Sequence, residues 1–104
     1  MQYDLEDLIY LVKQWGIDKG ITGPNGTATG MAQAHKTIEE AQEILDGIVA
    51  KDKGEIIDGI GDTMVTLILQ CELQDTNLRY CLQEAFKIIS KRTGKMVDGQ
   101  FVKD

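Results

Sequence analysis

The stretch IEEAQEILDGIVAKDKGEIIDGIGD, Ile38 to Asp62, places many acidic residues in segments whose apolar residues follow a helical pattern. Eight of its 25 residues are carboxylates. Like charges one turn apart destabilise an exposed helix by ~0.2–0.5 kcal/mol per pair, and by more when they are buried without a cation. The stretch therefore has two interpretations: a solvated acidic face, or a site that holds something cationic.

Apolar residues recur at helical spacing in four segments of the 104-residue chain, which has the length of a single domain, 1–104. The predicted helices span about 4–15, 31–49, 55–73 and 76–92. Residues 16–30 contain five glycines and the single proline, which predicts a loop. In the tail, 95–104, Asp98-Gly99 between two apolar pairs predicts a small hairpin or docked arm. The expected fold class is all-α, a four-helix bundle with short connections.

The composition excludes several classes of function. A formal net charge of −6 argues against a partner that is a nucleic-acid polymer, because such binding needs a basic surface. The longest mostly apolar stretch, around Met64 to Leu69, is too short to cross a membrane, and the N-terminus lacks a signal-peptide pattern. We therefore expect a cytoplasmic protein. The negative net charge of the chain does not exclude a nucleotide ligand, because a metal ion can bridge the phosphates to acidic side chains.

The acidic residues of the second helix lie away from its main apolar stripe. At roughly 100° per residue, the stripe that we expect to be buried contains Ala34, Ile38, Ala41, Leu45 and Ile48. Gln33, Lys36, Glu40 and Glu43 project to another side. They reach a buried site only if this helix has a second packed face, against another helix or another subunit.

The third helix has a face that begins acidic and turns apolar. Glu55, Asp58 and Asp62 project within about 60° of one another, and Val65 and Leu69 continue the same stripe. Such a face is expected to pack inward along its whole length. Ligand sets made only of carboxylate oxygens suit Mg²⁺, or Mn²⁺, rather than zinc.

The two acidic motifs together resemble a known family. Glu39-Glu40-Ala41-Gln42-Glu43 is followed, after fifteen residues, by Gly59-Ile60-Gly61-Asp62 and an apolar run. This resembles the ExxE and ExxD signature of the MazG-type all-α NTP pyrophosphohydrolases. The segments LVKQWGIDKGI, MAQAHKTIEE and KIISKRTGKMVDGQFVKD are similar to those of small phage-type members.

The resemblance implies a set of metal ligands. Glu40 and Glu43 correspond to ExxE and Asp62 to the aspartate of ExxD, whereas Gly59 stands where the family has a glutamate. Asp58 points to the same side as Asp62 and is expected to supply the missing oxygen. Alternatively, Glu55 and Asp58 spell ExxD one turn higher, although the apolar run after Asp62 favours the lower register.

The resemblance also implies an activity, hydrolysis of a nucleoside triphosphate, NTP or dNTP, to the monophosphate and pyrophosphate in nucleotide pool control. The expected cofactor is Mg²⁺, and Glu39 or Glu43 is expected to accept the proton. The candidate substrate-binding residues are Trp15, Gln33, Lys36, Arg92 and Lys95. Family members commonly form dimers or tetramers, so a homodimer or homotetramer is expected. The alternative is a non-catalytic binding or regulatory module that keeps the fold.

Overall fold

The computed structural model describes residues 2–104 and confirms the all-α class, with a short C-terminal hairpin. The helices are α1 (Leu5–Asp18), α2 (Gly30–Ala50), α3 (Lys53–Leu73) and α4 (Leu78–Ile89). Strands β1 (Gly94–Val97) and β2 (Gln100–Lys103) pair antiparallel, with Met96 opposite Phe101. Helix α4 ends three residues before the predicted boundary, which leaves Arg92 between α4 and β1. None of the helices in the described part of the chain is long and apolar enough to cross a lipid bilayer.

Each helix begins at a side chain that caps its first turn. The oxygens of Asp4, Thr29, Asp52 and Asn77 accept hydrogen bonds from the backbone N–H three residues later, at 2.8 to 3.1 Å. Between α2 and α3, Lys51 adopts a left-handed conformation with φ of 54° and Asp52 then caps α3. This two-residue connection turns the chain back on itself and makes α2 and α3 an antiparallel pair.

Helices α2 and α3 approach one another closely at two buried glycines, Gly47 and Gly59. A β-carbon on Gly59 would lie 2.8 Å from Cγ1 of Ile44 and 3.1 Å from its backbone nitrogen. A glutamate at position 59 would therefore point into the backbone of α2. The departure from ExxD at this position has a structural reason, because the helices approach too closely there for a side chain.

The face of α2 that packs against α3 differs from the predicted one. The residues buried on α2 are Gln33, Glu40 and Gly47. The stripe predicted as core is open, with Ile38, Leu45 and Ile48 66%, 53% and 56% exposed. The prediction of the buried face was wrong. Apolar periodicity identifies an apolar face of a helix, but it does not show that another helix of the same chain packs on that face.

The chain exposes more surface than a compact monomer of its size. Its accessible area is 8089 Å², whereas a compact protein of 11.5 kDa exposes about 5,800 Å². Its radius of gyration is 15.9 Å, against about 13 Å for a compact domain of this length. The surplus is spread over the α2 stripe, α4, which buries none of its own residues, and the hairpin, whose residues are all exposed.

The close approach of α2 and α3 can be tested with a matched pair of substitutions. We expect Gly59→Ala to lower the free energy of unfolding by about 1–3 kcal/mol, because the added methyl group would overlap Ile44. Gly61→Ala, two residues further along the same helix and with nothing within 4 Å of its β-carbon, should raise it by up to about 1 kcal/mol through helix propensity. Urea denaturation measures both. Equal effects of the two substitutions would contradict the packing described here.

Candidate functional site

Three carboxylates from α2 and α3 meet beside the close helix contact. Glu40, Glu43 and Asp62 each offer one oxygen, and these oxygens lie within 4.8 Å of one another. The antiparallel pairing explains their meeting. Glu40 lies four residues before Ile44 on α2, and Asp62 lies three residues after Gly59 on α3. Because the helices run in opposite directions, both residues lie on the same side of the Ile44–Gly59 contact. We call Glu40, Glu43 and Asp62 the carboxylate cluster.

The cluster carries more negative charge than its neighbours neutralise. Glu40 is 8% exposed, and the Nζ atom of Lys36 lies 3.3 Å from its Oε1 atom. Hydrogen bonds with Glu40 and Glu39 raise the pKa of Lys36. The pKa of Glu43 is raised, chiefly by a hydrogen bond shared with Glu40, then by the charge of Glu40, by desolvation and by the charge of Asp62. Lys36 is shared with Glu39, so the cluster, Glu39 and Lys36 together carry a formal charge of −3, which favours binding of a divalent cation.

The cluster borders a cavity of about 530 Å³ whose lining changes from polar to apolar. Lys36, Glu40 and Asp62 line the polar part. Along α3, the wall continues from Asp62 to Leu69, a distance of roughly 10 Å at 1.5 Å per helical residue. The apolar part is lined by Trp15, Ile21, Ala28, Ala32, Val65 and Leu69. One opening thus offers charged groups and an apolar surface to the same ligand.

The loop between α1 and α2 closes the apolar part of the cavity. Its backbone is held by hydrogen bonds from the N–H of Ile21 to the carbonyl of Gly16 at 2.9 Å and from the N–H of Ala28 to the carbonyl of Ile21 at 3.1 Å. Thr22, in the turn between them, is only 4% exposed. These contacts hold Ile21 and Ala28 in the cavity wall.

Gln33 is fixed in the same wall by a polar network between α2 and α3. Its Nε2 atom donates to the carbonyl of Thr66 at 3.4 Å, and the hydroxyls of Thr37 and Thr66 lie 2.9 Å apart. Gln33 and Thr66 are 8% and 4% exposed. The network orients Gln33 beside Lys36 and gives the α2–α3 contact a polar component next to the carboxylate cluster.

The structure places the remaining predicted acidic residues outside the cluster. Glu55 and Asp58 precede Gly59 on α3, and neither belongs to the group of converging oxygens. Of the two possible registers of the ExxD motif, the lower one, which ends at Asp62, is therefore the one that lies close to Glu40 and Glu43. Glu39 lies next to Glu40 in sequence, with its side chain 68% exposed and paired with Lys36 at 3.4 Å.

The candidate substrate-binding residues divide into two groups. Trp15, Gln33 and Lys36 line the cavity, and Trp15 is 45% exposed. Arg92 and Lys95 lie beyond α4 and are absent from the cavity lining within residues 2–104. No residue of either strand has its Cα atom within 8 Å of a residue of the four described helices.

Sequence reasoning missed four residues of the cavity wall: Ile21, Ala28, Ala32 and Thr66. Ile21 and Ala28 belong to the glycine-rich loop, where the absence of periodicity hides which side chains turn inward. Ala32 and Thr66 follow helical spacing from Lys36 and Asp62, at i−4 and i+4, so extending both acidic faces by one turn would have found them.

The comparisons with known proteins identify the family. The family model described as MazG nucleotide pyrophosphohydrolase domain matches residues 29–96. The match covers 68 of the 104 residues, including α2, α3 and α4 with the carboxylate cluster and two sides of the cavity. Searches of curated proteins and of solved structures give no significant match. The chain, with its acidic motifs on two antiparallel helices, belongs to the MazG nucleotide pyrophosphohydrolase domain family.

Proposed function

We propose that this protein is a Mg²⁺-dependent nucleotide pyrophosphohydrolase, which converts an NTP or dNTP and water to the monophosphate and pyrophosphate. The observation that carries the proposal is the convergence of Glu40, Glu43 and Asp62, of which Glu40 and Asp62 line the polar part of a mostly apolar cavity. Cavities of about 300–1,000 Å³ are typical of small-molecule sites, and a nucleotide has the matching division into an anionic and a planar part. We place this activity in nucleotide pool control in the cytoplasm.

The donor set of the cluster suits a hard divalent cation. Oxygens bound to one Mg²⁺ at about 2.1 Å lie no more than ~4.2 Å apart, so small side-chain rotations would bring oxygens that are now within 4.8 Å into its coordination range. The excess of negative charge favours such an ion, and Mn²⁺ would fit the same ligands. When bound, the ion supplies positive charge that neutralises the phosphates and lowers the pKa of a bound water.

The reaction requires a group that accepts the proton of the attacking water. The water oxygen bonds to the α-phosphorus, the bond from that phosphorus to the bridging oxygen breaks, and pyrophosphate leaves. Glu43 is one candidate acceptor, through an oxygen that the cation does not use, and its pKa is already raised by Glu40. Glu39 is the other, since it adjoins the cluster and is bound only to Lys36 within the described residues.

Residues of the cavity wall would hold the rest of the substrate. Lys36 lies beside Glu40 and can contact a phosphate once a cation takes its place there. Gln33 is fixed beside it and offers polar atoms to the sugar or phosphate. The half-exposed indole of Trp15 supplies an aromatic face on which a base can stack.

We further propose that the chain forms a homodimer or homotetramer. Its surface exceeds that of a compact monomer by roughly 2,300 Å², and stable complexes bury about 800 Å² or more per partner. The apolar stripe of α2, with Ile38, Leu45 and Ile48, is part of this surplus. Sedimentation equilibrium measures the assembly directly, and a single-chain mass at micromolar concentration would contradict it.

Substitutions in the carboxylate cluster should abolish both metal binding and turnover. We expect Asp62→Asn and Glu40→Gln to reduce pyrophosphate release from a panel of NTPs and dNTPs by at least ~100-fold. At a Mg²⁺ concentration one hundred times its Kd, binding stabilises the wild type by about 2.7 kcal/mol, and this rise in melting temperature should disappear in both variants.

Asp58→Asn is the matched control, because it removes the same charge from the same helix outside the cluster. It should keep the Mg²⁺ shift and turnover within about threefold. If Asp58→Asn is as damaging as Asp62→Asn, the upper register supplies the ligands instead. A Mg²⁺ shift in a wild type that turns over no nucleotide of the panel would favour the non-catalytic module.

Removing the charge of Glu43 should stabilise the metal-free protein in a pH-dependent way. The raised pKa means that the folded state holds this proton more tightly than the unfolded chain does. The resulting stability is present at low pH and is lost as the pH rises through the raised pKa. In EDTA, the melting temperature of Glu43→Gln should therefore increasingly exceed that of wild type as the pH rises from about 4 to 7.

Glu39→Gln serves as the comparison for Glu43→Gln, because it removes a neighbouring carboxylate that is already paired with Lys36. The melting temperature of Glu39→Gln in EDTA should not increasingly exceed that of wild type as the pH rises. If the melting temperatures of wild type and Glu43→Gln change with pH in parallel, Glu43 is not repelled by Glu40 and Asp62.

Trp15 should contribute to substrate affinity rather than to chemistry. Stacking on an aromatic side chain is worth about 1–3 kcal/mol per base, so Trp15→Ala is expected to raise KM about tenfold with kcat nearly unchanged. Trp15→Phe keeps an aromatic face and should lie close to wild type. Steady-state kinetics test this, with thermal melts to confirm that both variants fold. A fall in kcat with unchanged KM would contradict the stacking role.

A further inference from the structure

The segment after α4 differs in charge from the rest of the chain. Residues 90–104, which we call the C-terminal arm, contain Lys91, Arg92, Lys95 and Lys103 against Asp98 and Asp104. The side chains of the arm therefore carry a formal charge of +2 in a chain whose total is −6. All its residues are exposed. Its cations form no ion pair with a carboxylate elsewhere in residues 2–104.

The hairpin of the arm lacks the packing that such a structure needs. A two-stranded hairpin is marginally stable in water unless it packs against another element. Met96 and Phe101 lie opposite each other on one face and are 66% and 53% exposed. Neither strand approaches the described helices of its own chain, so this apolar pair stays uncovered by them.

The carboxylate cluster lacks cations that a triphosphate requires. With one divalent ion bound, the cluster, Glu39 and Lys36 together would keep a charge of about −1, and a nucleoside triphosphate then adds about −4 at neutral pH. Among the described residues that line the cavity, Lys36 is the one with a positive charge. Arginine is well suited to binding phosphate through two parallel hydrogen bonds, and Arg92 lies in the arm.

Resting on the proposed function, we propose that the C-terminal arm of one copy docks beside the carboxylate cluster of a second copy and contributes Arg92 and Lys95 to its phosphate site. Charge complementarity supports the arm as the segment that docks beside the cluster. The arm is basic, and the exposed residues of the cluster, Glu43 and Asp62, are acidic. The surface surplus of roughly 2,300 Å² is also large enough for an interface that includes the arm.

A complementation experiment separates this arrangement from one in which the arm serves its own chain. One variant, Arg92→Gln with Lys95→Gln, keeps its carboxylates, and the other, Asp62→Asn, keeps its arm. We expect each alone to lose at least about tenfold in kcat/KM. Co-expressed in equal amounts they should recover about a quarter of wild-type activity, because half of the sites have intact carboxylates and half of those face an intact arm.

Lys19→Gln with Lys53→Gln is the charge-matched control for the arm variant. Both lysines are exposed, neither lies in the cavity wall or in an ion pair of the described chain, and their removal also subtracts two positive charges. This control should keep kcat/KM within about twofold of wild type. A loss equal to that of the arm variant would overturn the specific role of the arm.

A crosslinking experiment tests docking without reference to turnover. Unlabelled and ¹⁵N-labelled wild-type chains are mixed in denaturant, refolded together and treated with a carbodiimide, which joins an amine to a carboxylate in direct contact. We expect crosslinked peptides between Lys95 and Glu43, or its neighbour Glu39, in all four isotope combinations. Only unmixed combinations, or no such peptide, would overturn the proposal.

The two experiments distinguish failure of the inference from failure of the proposed function. If wild type hydrolyses nucleotides but the co-expressed variants show no gain above the sum of each alone, the arm does not act between copies and the enzyme assignment stands. If wild type hydrolyses none, mixed-isotope crosslinks still support docking, and only the phosphate-binding role is lost.

Discussion

The close approach of α2 and α3 is the constraint on which the rest of the structure depends. At Gly59 the two backbones come so near that a β-carbon would lie 2.8 Å from the side chain of Ile44. Because the helices run antiparallel, this contact fixes the separation of the residues on either side of it. The convergence of Glu40, Glu43 and Asp62 within 4.8 Å follows from that spacing. The repulsion among these carboxylates is opposed by the packing of Ile44 and by the network of Gln33, Thr37 and Thr66.

The same contact determines which surfaces of the chain stay open. Helix α2 uses its small and polar face against α3, so its large apolar residues, among them Ile38 and Leu45, face away. Helix α4 touches the rest of the chain so little that none of its residues is buried. A chain arranged in this way has a core formed around one helix pair. Its remaining apolar area, about 25 cal/mol for each Å² removed from water, stabilises the protein only when a partner covers it.

The sequence was sufficient to predict the elements and part of the site, because both depend on local periodicity. The four helices and the acidic-to-apolar stripe from Asp62 to Leu69 follow from helical spacing, and the hairpin was one of two alternatives indicated by the turn residues Asp98-Gly99. The structure contains each of them. The packed face of α2 could not be predicted in the same way, since an apolar stripe looks identical whether its own chain or another covers it. Gly59 is visible in the sequence, but its meaning depends on a distance between two helices.

Two separate segments of the chain form the cavity wall. The carboxylates lie on α2 and α3, whereas Trp15 and Ile21 come from α1 and the loop that follows, which precede the segment matched by the family model. The loop is held by its own backbone hydrogen bonds, and it meets the α2–α3 pair at Thr29, which caps α2. Amino-acid changes in this N-terminal portion would thus reshape the apolar wall of the cavity without replacing any of the three carboxylates.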